Sequence, residues 1–163
     1  MEGNQGMQGN QGKTLVAHIT AGGATEMYAN VIAETLRASG CDVDVVNLKR
    51  EKIDDLSGYS SVVLGTGVRM FMVYRKGKSF LARRDLRGKP LGIFLSSAMA
   101  LDKPDEARER FLDPLVERNG LSPLMCDAFP GKIPLGPGNL DDKTDANIAR
   151  KWAEDFARKL GEA

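Results

Sequence analysis

Two cysteines, one histidine and one tryptophan among 163 residues leave little room for several kinds of chemistry. Cys41 and Cys126 lie far apart with no CxxC or other metal-ligand spacing, and His18 stands alone, which argues against a zinc site or a Cys/His nucleophile pair. Both thiols read as small packing residues kept reduced. No apolar stretch approaches the length that crosses a bilayer, and the first residues have neither the basic start nor the apolar run of a secretory signal, so a cytoplasmic protein is expected. An excess of one charge is missing too. With 23 basic and 22 acidic residues the net charge is +1, and nothing at the level of the whole chain points to nucleic acid.

What is present is a globular composition, 42% hydrophobic and 28% charged, in a length that suits one domain. Residues 1–12 (MEGNQGMQGNQG) are the exception, a Gly/Asn/Gln repeat that cannot offset the entropy of ordering its backbone. A disordered tail over 1–12 and a folded domain over 13–163 are therefore expected.

Hydrophobic patterning divides that domain. Residues 13–19 (KTLVAHI), 61–65 (SVVLG) and 91–96 (LGIFLS) are short apolar runs of strand length. Residues 42–48 (DVDVVNL) alternate as an outer strand does, and 122–129 supply a fifth candidate. Helical spacing recurs over 25–39, 75–84, 105–119 and 143–160, with Pro114 predicting a kink in the third of these. The β-α alternation predicts an α/β fold, a doubly wound parallel sheet with helices on both faces. In such a sheet ligands bind beyond the carboxyl ends of the strands, where the strand order reverses.

The loop after the first strand is Thr20-Ala21-Gly22-Gly23-Ala24-Thr25. Small residues let backbone N–H groups converge on one point, two hydroxyls flank them, and a helix N-terminus follows, which suits a phosphate monoester or a plain β-α turn equally well. It is neither a Walker loop nor a GxGxxG fingerprint.

The run over 16–32, with Thr20, Gly23, Thr25, Ala29 and Ile32 at their spacings, resembles the phosphate-loop signature of flavodoxins. Ala17 and His18 stand where that family usually has a larger apolar residue and a Tyr or Phe. Gly65-Thr66-Gly67-Val68-Arg69-Met70 resembles the G-x-x-I/V-R segment of the branch that contains the flavodoxin-type protoporphyrinogen oxidase, and residues 126–132 (CDAFPGK) are similar to the same group's C-x-x-F-x-G run. Trp152-Ala153 lies in a comparable last helix.

The resemblance implies a flavodoxin-like five-stranded parallel sheet in the order 2-1-3-4-5, holding one FMN. Thr20, Ala21, Gly22, Gly23, Ala24 and Thr25 would hold its phosphate. Thr66, Gly67, Val68, Arg69 and Met70 would lie along the isoalloxazine, with the Arg69 cation favouring the anionic reduced form. Ser96, Ser97, Ala98, Met99 and Ala100 would flank the pyrimidine edge, in a loop without the Tyr or Trp that stacks on the ring in ordinary flavodoxins. The apolar run over 70–74 (MFMVY) reads either as a lip over the ring or as a helix start packing inward, and Lys76, Lys78, Arg83, Arg84, Arg87 and Lys89 after it make a solvated helix face or a basic side.

No candidate nucleophile, shared-motif carboxylate pair or metal cluster accompanies these loops, which favours electron transfer over hydrolysis or group transfer. The function implied is an FMN-dependent redox protein working between a reductase and a protein or small-molecule acceptor. The competing readings are a flavin-free interaction or regulatory module, and a protoporphyrinogen or quinone oxidoreductase. Balanced charge sets the chain apart from acidic shuttle flavodoxins. Only residues 133–142 (IPLGPGNLDD) stand where the oxidase branch carries a long insertion, and no dinucleotide fingerprint is present.

Overall fold

The computed structural model describes residues 12–20 and 22–162, so most of the expected tail and Ala21 of the first loop lie outside the described residues. The strands are β1 (Lys13–Ile19), β2 (Val43–Asn47), β3 (Tyr59–Arg69), β4 (Met72–Val73), β5 (Leu91–Ser97), β6 (Met125–Pro130), β7 (Lys132–Gly136) and β8 (Asn139–Asp142). The helices are α1 (Ala24–Ala38), α2 (Arg75–Leu81), α3 (Pro104–Phe111), α4 (Asp113–Arg118) and α5 (Ala146–Glu162). The main sheet runs β2-β1-β3-β5-β6, with every neighbour on that path parallel. This is the doubly wound flavodoxin order, which reverses direction between β1 and β3.

The strands that read as continuous apolar runs are buried on both faces because helices cover both. Leu15, Leu64, Ile93 and Leu95 pack beneath α2, α3 and α4. Val16, Val63 and Phe94 pack beneath α1 and α5. On this second face the sheet is notched for aromatic rings. A Cβ on Gly65 would fall 2.1 Å from Cζ of Phe94, and one on Gly92 would fall 2.7 Å from Cη2 of Trp152. The missing side chains let Phe94 stack on Phe129 at 5.4 Å and let Trp152, stacked on Phe156 at 5.5 Å, lie beside them. Trp152 Nε1 donates to Asp127 at 2.8 Å, which satisfies the one polar atom of that ring.

Three local features differ from the sequence expectation. The helix expected over 105–119 is broken rather than bent, since α3 ends at Phe111 and α4 begins at Asp113 with proline in its first turn. The run over 70–74, read as a lip or as a helix start packing inward, forms a hairpin that leads into the N-cap of α2. Strand β3 continues to Arg69 and folds back through Met70 (φ 52°) and Phe71 (φ 63°) into β4, a two-residue hairpin with both tip residues left-handed. The Gly/Pro-rich connection after β6 is a second hairpin, β7 paired antiparallel with β8. Among the described residues no helix is long and apolar enough to cross a membrane.

Candidate functional site

The carboxyl ends of β1, β3 and β5 surround a cavity of about 340 Å³. Its first wall is the turn from β1 into α1. Gly23 caps that helix at φ 88° without a side-chain hydrogen bond, so the amides of the first turn face outward as donors. Gly22 N–H donates to Thr20 Oγ1 at 3.2 Å, which folds the turn onto the helix end. The Lys132 ammonium reaches this point from β7, and Nζ stands 3.4 Å from where a Cβ on Gly23 would be. A helix N-terminus and an ammonium converge on one spot and give it a positive potential.

The second wall is the end of β3. A Cβ on Gly67 would lie 3.4 Å from the hydroxyl oxygens of both Thr20 and Thr25 and 3.2 Å from Cε2 of Tyr74, so a bare backbone lets the two loops close together. The third wall follows β5, where Ser97 Oγ accepts from Met99 N–H at 3.1 Å and starts a tight turn over Ala98–Leu101.

Of the residues expected in the site, Thr20, Gly22 and Ala24 line the cavity from the first loop, Gly67, Val68 and Met70 from the second, and Ser96, Ser97, Ala98 and Met99 from the third. Four others take different positions. Thr25 is fully buried, its hydroxyl 2.7 Å from that of Ser96, so it braces α1 against β5 from beneath. Thr66 donates to the Gly67 carbonyl at 3.1 Å and faces α2, where a Cβ on Gly77 would fall 2.9 Å from its oxygen. Arg69 pairs with Met72 in the hairpin and is exposed outside the lining. Ala100 is buried in the core under α3.

Phe71 from the β3–β4 hairpin and Tyr74 at the start of α2, both in the run read as a lip over the ring, and Phe111 from α3, which escaped sequence reasoning, supply the aromatic surface that the third loop lacks. The Arg110 guanidinium lies 5.8 Å from the Phe71 ring centre and 5.6 Å from that of Phe111, which joins the hairpin tip to the opposite rim. The tip itself is open to solvent, with Met70 82%, Phe71 75% and Met72 58% exposed.

Lys132 is held in place by Tyr28. This fully buried side chain donates its hydroxyl to the Pro130 carbonyl and accepts from Asp145 N–H at 3.1 Å, while Gly131 N–H donates to Ser97 O at 3.1 Å. One phenol thus ties α1 to the end of β6, two residues before Lys132. Burial pushes its pKa up to about 12, which keeps it a neutral donor. Burial also pushes the Cys126 thiol up to about 12 and raises that of Cys41, so neither forms a thiolate readily.

His18 sits on the α1 face of β1, one pleat before Thr20, at 2% exposure and with Nδ1 unpartnered. Burial lowers its pKa against the opposing pull of Glu26 in the first turn of α1. Among the described residues no group of three metal-ligating side chains occurs.

The flavodoxin-domain family profile matches residues 15–151. The chain belongs to the flavodoxin family. Among curated relatives, an NAD(P)H dehydrogenase (quinone) of Nitrobacter winogradskyi is 33% identical over 113 residues, covering 53% of this chain and 57% of the relative. One of the same description from Rhodopseudomonas palustris is 30% identical over the same shares. The chain therefore spans little more than half the length of these curated relatives. Solved flavodoxins match nearly end to end: oxidised flavodoxin 2 of Bacillus cereus has 24% identity and a TM-score of 0.65, covering 90% of this chain and 99% of that one. A Fusobacterium nucleatum flavodoxin mutant bound to flavin mononucleotide has 17% identity and a TM-score of 0.61, with 93% and 97% covered. At these identities the likeness is one of fold.

Proposed function

We propose that residues 13–163 form one FMN-binding domain that passes electrons between a reductase and a protein or small-molecule acceptor. The observation that carries this is the pairing of an anion site, made by the α1 N-terminus and Lys132, with a cavity walled by aromatic rings and bare backbone. That donor set suits the two ends of FMN, a phosphate and a flat ring, and the group when bound supplies one- and two-electron redox chemistry. The first-turn amides and Lys132 hold the phosphate, with Thr20 beside them. Thr25 and Ser96 keep the two flanking loops in register from beneath. Tyr74 and Phe71 would shield the ring from water, and the bare backbone at Gly67 would leave room for its edge.

The relatives described as NAD(P)H dehydrogenase (quinone) favour a second reading, direct reduction by a nicotinamide nucleotide with a quinone as acceptor. The likeness of residues 65–70 and 126–132 to the protoporphyrinogen oxidase branch remains one of short segments, because only the short β7–β8 hairpin stands where that branch has its insertion.

The test is reconstitution with FMN. Uptake gives absorption bands at roughly 375 and 450 nm, whereas a purified chain that is colourless and takes up no added FMN sinks the proposal in favour of a flavin-free module. Bleaching by NADPH or NADH alone, followed by recovery on adding a quinone, supports the second reading; bleaching only with an added reductase supports the first.

A further inference from the structure

A second cavity, of about 510 Å³, opens on the other side of the first turn of α2. Tyr74 caps that helix and lines the flavin cavity, and Lys76, two residues on, lines this one. The floor is apolar, made by Leu48, Ile53 and Phe80. Around it stand Lys49, Arg50, Lys52, Lys76 and Arg83, against a single lining carboxylate, Glu51.

The groove is built rather than left between loops. Arg83 donates to the carbonyl of Ile53 at 2.7 Å and that of Asp54 at 3.2 Å, and pairs with Asp85 at 2.9 Å. Lys76 Nζ donates to the Leu48 carbonyl at 3.1 Å, and Asn47 Oδ1 accepts from Lys49 N–H at 2.9 Å. Lys76 from α2 and Arg83 just beyond it thus fasten the β2–β3 connection, which Asn47 also folds locally. These bonds also divide the cations into two sets. Asp85 neutralises Arg83, whereas Lys49, Arg50 and Lys52 are exposed and, among the described residues, make no ion pair.

Three cations without an ion pair, beside the one carboxylate of Glu51 and over an apolar floor, describe a ligand with a flat apolar body and more than one anionic group. Lysine and arginine together suit phosphate oxygens in particular. We propose that this groove binds a phosphorylated nucleotide, its ring against the floor at Ile53 and its phosphates on Lys49, Arg50 and Lys52. The proposal stands on the groove alone; that the nucleotide would lie one helical turn from a flavin rests on the flavodoxin reading above.

Isothermal titration of the full chain as purified, with NADPH, NADH and inorganic pyrophosphate as probes, tests it. NADPH is expected to bind at least fivefold more tightly than NADH because of its additional phosphate, and more weakly as salt rises. The exposed-site triple variant Lys49→Ala/Arg50→Ala/Lys52→Ala should lose tenfold or more in NADPH affinity and leave FMN uptake, read from flavin fluorescence, unchanged. Wild-type affinity in the triple variant, NADPH displacing FMN, or pyrophosphate binding as tightly as NADPH would each overturn it. Loss of FMN uptake in the unmutated chain with nucleotide binding retained would instead remove the flavin reading and leave the groove.

Discussion

The Lys132 ammonium stands 3.4 Å from where a Cβ on Gly23 would be, so a cation from one end of the chain completes an anion site begun at the other. Replacing Lys132→Ala should weaken FMN binding by about 2 kcal/mol, the loss of one charge-assisted hydrogen bond, or roughly thirtyfold. Riboflavin, which lacks the phosphate, should bind both proteins equally in the same fluorescence titration. An equal loss for both flavins would show that Lys132 does not meet the phosphate.

Thr25 and Ser96 hydrogen-bond to each other at the buried base of the cavity. Thr25→Val strands the Ser96 hydroxyl and should cost about 2 kcal/mol of stability, measured by urea denaturation. The double variant Thr25→Val/Ser96→Ala removes both polar groups and should cost less than the sum of the two single changes.

Gly65→Ala would drive a methyl group into the Phe94 ring. A loss of about 3 kcal/mol is expected from such overpacking, seen as a lower thermal midpoint. Phe94→Leu in the same chain should recover part of it.

The β3–β4 hairpin places Met70 and Phe71, two residues with side chains, in the left-handed region. Met70→Asn/Phe71→Gly, the preferred pair for this turn, should raise stability by about 1 kcal/mol while opening the rim that Phe71 and Arg110 close. Equal thermal midpoints would mean that the turn carries no strain.

His18 makes stability depend on pH. Its folded pKa lies below the ordinary histidine value of 6.5, so below pH 6.5 the unfolded chain binds a proton that the folded chain refuses. Stability therefore falls as pH drops through 6.5 and levels off below the folded pKa. His18→Phe should flatten that segment of the difference curve, measured by denaturation between roughly pH 5 and pH 7.5.

The buried strands and the first loop were legible because a strand buried on both faces and a glycine-rich turn leave direct marks in sequence, whereas the sheet order followed from the resemblance to flavodoxins. The first loop's small residues at 22 and 24 sit where that pattern puts them. The hairpin tip was not legible, since Met-Phe lacks the Asn or Gly that signals this turn. Lys132 was part of a recognised run, yet its role depends on Tyr28, a residue more than a hundred positions away, pulling Pro130 over α1. Thr66 and Arg69 share a strand with Gly67, and only the pleat, together with the outward turn at Met70, decides which of them meets the cavity.

The notch at Gly65 also has an order of events written into it. With Cζ of Phe94 filling the space a methyl group would need, a lineage can place a side chain at position 65 only after the ring at 94 has shrunk. The two positions can drift, but only in sequence, and a variant library that samples position 65 alone will return glycine as its most stable residue.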